Sequence, residues 1–125
     1  MAPKRSLQEG NGITMESESQ NQPIACNLAV FSATEAAAHE ELTQFMMSNA
    51  QEVTELADGF TLRFADSVQW TPKLATFVQQ ERRCCPFFTF ELHFAPNLGP
   101  VALTIRGPEG AKALIQQAFG ASWVR

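Results

Sequence analysis

Between Met1 and Pro23 the chain shows almost no repeating apolar pattern, and Ser, Gln, Asn, Glu and Gly dominate. Such a stretch buries too little surface to offset the entropy of ordering, so a disordered tail over 1–23 is expected ahead of a single α+β domain over 24–125. Ile24, Cys26, Leu28 and Val30 then alternate with Ala25, Asn27, Ala29 and Phe31, the period of a short strand with Cys26 on its inward face. Ser32 or Thr34 can cap a helix after it. Glu35 and Glu40 load the early turns with negative charge, and Ala38, Leu42, Phe45 and Met46 recur at helical spacing, giving an amphipathic helix that ends near Asn49.

Two strand-like runs, Glu52 to Leu56 and Phe60 to Phe64, flank Ala57, Asp58 and Gly59, and an Asp-Gly pair in that position predicts a hairpin with Phe60, Leu62 and Phe64 on one face. Thr71 before Pro72 fits a helix start, with Ser67 as an earlier alternative, and Leu74, Phe77, Val78 and Glu81 trace a stripe towards Cys84 and Cys85. Past Pro86, Phe88, Phe90, Leu92 and Phe94 alternate with Phe87, Thr89, Glu91 and His93. A Pro-Asn-Leu-Gly-Pro turn at 96–100 then leads to Val101, Leu103 and Ile105, a second hairpin. Pro108 and Glu109 open a last helix whose Ala111, Leu114, Ile115, Ala118 and Phe119 form an apolar stripe ending at Gly120. The order strand, helix, hairpin, helix, hairpin, helix predicts a two-layer α+β fold, a mainly antiparallel sheet with helices on one face.

Composition narrows the function. The 125 residues are 45% hydrophobic and 18% charged, enough apolar material for one core. A formal charge of -4 gives no general attraction to nucleic acid or an anionic membrane, and no run of about 18 apolar residues predicts a span. A metal or small molecule is therefore the expected partner, in a cytoplasmic setting. Three cysteines cannot all pair within one chain, so at least one thiol stays free and a reducing compartment fits the count. No Gly-x-Gly-x-x-Gly or phosphate-loop pattern occurs, and no nucleotide cofactor is indicated.

The chemistry concentrates in Glu81-Arg82-Arg83-Cys84-Cys85-Pro86-Phe87. Adjacent cysteines within one helix diverge by about 100°, but a residue before proline is pushed out of helical torsions, so Cys84 closes the helix while Cys85 turns away from it. That change of direction lets two sulfurs converge. Glu81 lies one turn earlier on the apolar stripe. Either it is buried, and then paired, hydrogen-bonded, ion-bound or protonated, or it sits at the margin against a basic residue. Arg82 and Arg83 favour thiolate, whereas the helix C-terminus and the apolar Phe87 and Phe88 disfavour it.

Cys26 is the natural third sulfur if its face meets the end of the second helix. Three thiolates and a carboxylate suit soft or borderline cations and trivalent metalloids rather than calcium or magnesium. The candidate ligands are thus Cys26, Glu81, Cys84 and Cys85. The pair lacks the two-residue spacer of zinc knuckles and thioredoxin-type motifs. Two other readings stay open, a thiol-based redox or nucleophilic enzyme and an interaction module whose cysteines only pack. Among the remaining polar residues, His39 beside Glu40 and Glu41 is expected at the surface, Met46 and Met47 at core and margin, and Arg106 in a charge pair across the strands near Glu91 and His93. That polar sheet face becomes the interface if the chain forms a homodimer.

The segments Ala25-Cys26, Glu81 to Phe87 and Gly107 to Gly110 resemble a group of small bacterial proteins that pair an Ala-Cys with a later Glu-Arg-x-Cys-Cys-Pro-Phe and then a Gly-Pro-Glu-Gly. The resemblance covers roughly Ile24 to Phe119. It implies a bacterial stand-alone domain and carries no activity, cofactor or site residue with it.

Overall fold

A computed structural model of the chain describes residues 24–120; the tail expected over 1–23 lies outside the described residues. Helix α1 spans Ala33–Asn49, and the hairpin β1 (Glu52–Glu55) and β2 (Gly59–Phe64) comes next. Helix α2 (Ser67–Cys84) leads to a second hairpin, β3 (Thr89–Phe94) and β4 (Val101–Arg106), and helix α3 (Ala111–Phe119) completes the order. The sheet runs β1-β2-β4-β3 with every neighbouring pair antiparallel. This is the α+β two-layer architecture that the alternating strands and amphipathic helices imply.

Register explains which face is covered. Phe60, Ile105 and Phe90 share one cross-strand row, and Leu62, Leu103 and Leu92 share the next. Phe60, Leu62 and Phe64 of β2 and Val101, Leu103 and Ile105 of β4 are buried beneath the helices with Leu74, Phe77 and Ile115. Residues of opposite parity form the open face, where Thr61 and Thr104 stand opposite each other with their hydroxyls 2.8 Å apart. On the same face Arg106 binds Glu91 at 3.2 Å and Asp58 at 2.8 Å, which includes the expected charge pair across the strands. Gly59 faces the backbone carbonyl of Ile105 so closely that a Cβ has no room there.

Several boundaries differ from the sequence expectation. Residues 24–31 form no strand. Asn27 instead caps a short 3-10 helix, Leu28–Val30, by accepting from the Ala29 N–H, and its own N–H binds the Cys84 carbonyl at 2.8 Å. The alternation in this segment has no sheet partner and leaves Leu28 and Val30 exposed; the segment is held on the end of α2 by Asn27, Arg83 and Cys26.

Helix α2 begins at Ser67 rather than Thr71, capped by the Asp66 side chain on the Gln69 N–H. The extra turn buries Trp70 against Phe64 and Phe45. Burying an indole removes about 150–250 Å² from water, worth roughly 4 kcal/mol or more. That outweighs the roughly 3 kcal/mol that proline costs in a helix interior. Helix α3 begins at Ala111 rather than at Pro108, because Gly110 adopts a left-handed φ of 92° through which a right-handed helix does not propagate.

Candidate functional site: a buried thiol cluster

Three elements converge on the C-terminus of α2. The helix ends at Cys84, and Cys85 leaves it with φ -130° and ψ 69° ahead of Pro86 while its N–H still binds the Glu81 carbonyl at 2.7 Å. The segment at 24–31 crosses this end, held by the Asn27 to Cys84 hydrogen bond and by Arg83. The Arg83 guanidinium donates to the Val30 carbonyl at 2.8 Å and lies 4.9 Å over the Phe31 ring. Helix α1 supplies the third wall, its start fixed by a capping box between Ser32 and Glu35. The Ser32 backbone N–H holds the Glu35 carboxyl below its ordinary pKa.

One ligand atom from each of Cys26, Glu81, Cys84 and Cys85 lies within 4.8 Å of the others. Cys84 and Cys85 are buried, with their sulfurs 3.5 Å apart, and Cys26 is partly exposed. Cys26 does not stand there as a free thiol, which departs from the three-thiolate expectation. It is joined to Cys85 as a disulfide, with Cα atoms 4.6 Å apart, because Cys85 turns off the helix axis towards the incoming segment. Cys84 is the free thiol of the cluster.

Glu81 is buried, so the surface-margin alternative falls away. Its Oε2 lies 2.6 Å from His39 Nε2 and 3.8 Å from Cys84 Sγ. Its Oε1 has no hydrogen-bond partner among the described residues. His39 is itself buried, which corrects the surface position expected for it, and its Nδ1 lies 2.7 Å from Gln80 Oε1. The ring lies 5.6 Å from Phe77, nearly parallel to it, and 5.3 Å from Phe31. His39 and Gln80 are the site residues that sequence reasoning missed. The signal was present, since His39 precedes Leu42 by three positions and Met46 by seven on the buried face. Phe45, placed on that stripe by sequence, is instead exposed, and Met46 and Met47 are both core.

Electrostatics oppose a reactive Cys84. Burial first, then the charge and hydrogen bond of Glu81, push its thiol up to about 12, outweighing the backbone hydrogen bond and Arg83 that pull it down. For His39, burial disfavours the imidazolium, but hydrogen bonds to Glu81 and Gln80 and the Glu81 charge together leave its pKa raised. Cys84 is therefore protonated at neutral pH, and the buried His39–Glu81 pair fixes the carboxylate in place.

No family model, curated protein or solved structure matches the chain. Among the described residues no helix is long and apolar enough to cross a membrane.

Proposed function

We propose that this chain binds a soft metal or metalloid ion through Cys26, Cys84 and Cys85 with Glu81 alongside, and that the Cys26–Cys85 disulfide is the oxidised, non-binding form of the same site. The observation that carries this reading is the convergence of three sulfurs and a carboxylate within 4.8 Å at a buried element boundary. Sulfurs sharing a tetrahedral ion at bonds of about 2.3 Å stand roughly 3.8 Å apart. The Cys84–Cys85 separation of 3.5 Å is close to that. Soft thiolate donors select soft and borderline ions, and opening the disulfide is the step that provides two of them.

A specific observation favours a second reading, thiol–disulfide exchange. The Cys84 sulfur lies 3.5 Å from Cys85, one end of the disulfide. The thiol elevated to about 12 weighs against it, because the thiolate is the attacking species.

The test is titration of reduced protein with cadmium ion, monitored by thiolate-to-metal absorption. A saturable band at one ion per chain, lost on reoxidation and in the Cys84→Ser, Cys85→Ser double variant, is expected. A band unchanged in that variant contradicts the reading.

A further inference from the structure

Charge at this site discriminates between the ions it could hold. Three thiolates around a divalent ion leave a net charge of -1. Cys84 and Cys85 are 1% and 0% exposed. Arg83, one residue before the pair, is turned to the Val30 carbonyl, the Phe31 face and Glu35. The other polar group on Glu81 is His39, bonded to Oε2. Burying uncompensated charge costs several kcal/mol per ion even after relaxation. Three thiolates around a trivalent centre sum to zero and incur no such cost.

The donor set makes the same distinction. A trivalent metalloid takes three ligands in a pyramid, with its lone pair in the fourth direction, and the cluster provides three sulfurs. Glu81 is then a neighbour rather than a ligand. Its buried Oε1 is a hydrogen-bond acceptor with no donor among the described residues. A metalloid entering as its hydroxide brings O–H donors that a bare cation lacks, so Oε1 can accept from one during capture, before the hydroxyls leave as water.

Resting on the proposed ion-binding function, we propose that the ligand is a trivalent metalloid, captured from its neutral hydroxide of the arsenous acid class as a complex with Cys26, Cys84 and Cys85, with Glu81 Oε1 orienting a hydroxyl. Capture has two steps. An external dithiol first reduces the Cys26–Cys85 bond. The protein disulfide gains two electrons and two protons to become two thiols, and the dithiol is oxidised to its own disulfide. Partly exposed Cys26 is the sulfur open to attack, leaving Cys85 as the departing group. Three thiols then condense with one hydroxide, As(OH)3 + 3 Cys-SH giving As(S-Cys)3 + 3 H2O. Three As–O bonds break and three As–S bonds form, each thiol proton leaves as part of a water molecule, and arsenic stays trivalent.

The experiment uses reduced full-length protein, with arsenous acid and cadmium ion added separately and then in competition, in weak buffer with a pH indicator. Arsenous acid is expected to bind at one per chain with a mass gain of one arsenic less three hydrogens and no net proton release, and to resist displacement by equimolar cadmium. Cys26→Ser, judged folded by circular dichroism, is expected to bind it about tenfold or more weakly. Cadmium binding without arsenous acid binding, displacement of arsenous acid by cadmium, or arsenous acid affinity unchanged in Cys26→Ser overturns the metalloid assignment while the ion-binding function stands. Failure of both probes to bind overturns both.

Discussion

At the residue scale the unusual groups are Cys84, Glu81 and His39, three titratable side chains at 5% exposure or less. The thiol of Cys84, pushed up to about 12, is expected to resist iodoacetamide at neutral pH in the native oxidised protein and to react only after denaturation. Labelling and then peptide mass analysis checks this; a native rate equal to the unfolded one contradicts the burial argument. For His39 the folded pKa is raised above its ordinary 6.5. The stability it contributes is thus fully present below that value and lost as pH rises through the folded pKa. In ion-free oxidised protein, the gap in urea midpoint between wild type and His39→Gln is expected to narrow as pH rises above 6.5. A gap that stays constant rules out the linkage. The sequence signal for His39 was obscured by its neighbours Glu40 and Glu41, which suggested a solvated face although Leu42 and Met46 share its side of α1.

Element by element, what could be read from sequence depends on whether a local pattern has its partner nearby. Both hairpins carry their own turn residues and apolar parity, so the shared face of Phe60 and Leu62 and that of Phe90 and Leu92 follow from alternation, whereas the β2–β4 pairing that joins them is a long-range contact. The segment at 24–31 has the same alternation but lies against the end of α2, where the contacts of Asn27 and Arg83 and the Cys26–Cys85 bond hold it. Ser32 is tested by Ser32→Ala, expected to lower stability by about 1 kcal/mol in a denaturant titration through loss of the capping box. Gly59→Ala is expected to cost more than that cap, since the added Cβ meets the Ile105 backbone in a central pair of strands rather than a flexible side chain. A destabilisation smaller than that of Ser32→Ala contradicts the close-approach argument.

Across the whole molecule the cysteine cluster also ties distant parts of the chain together. The Cys26–Cys85 bond spans 59 residues, a loop whose closure entropy corresponds to about 4 kcal/mol in the chain-entropy account. Cys26→Ser is expected to lower the unfolding free energy by roughly 2–4 kcal/mol under oxidising conditions and by much less under reducing ones. Equal losses in both conditions contradict a disulfide contribution. Cysteine count and the proline after Cys85 made the location of the site legible, whereas the pairing of two sulfurs and the burial of Glu81 beside His39 depend on distances that a sequence does not carry. In the proposed function redox state and ion binding are alternatives at one set of atoms, and the central claim is how many sulfurs an ion meets once the disulfide is opened. Cadmium-edge X-ray absorption of the reduced protein loaded with one ion per chain counts them directly. Three sulfur ligands are predicted, from Cys26, Cys84 and Cys85; a first shell of oxygen and nitrogen, or one with fewer than three sulfurs, contradicts the account.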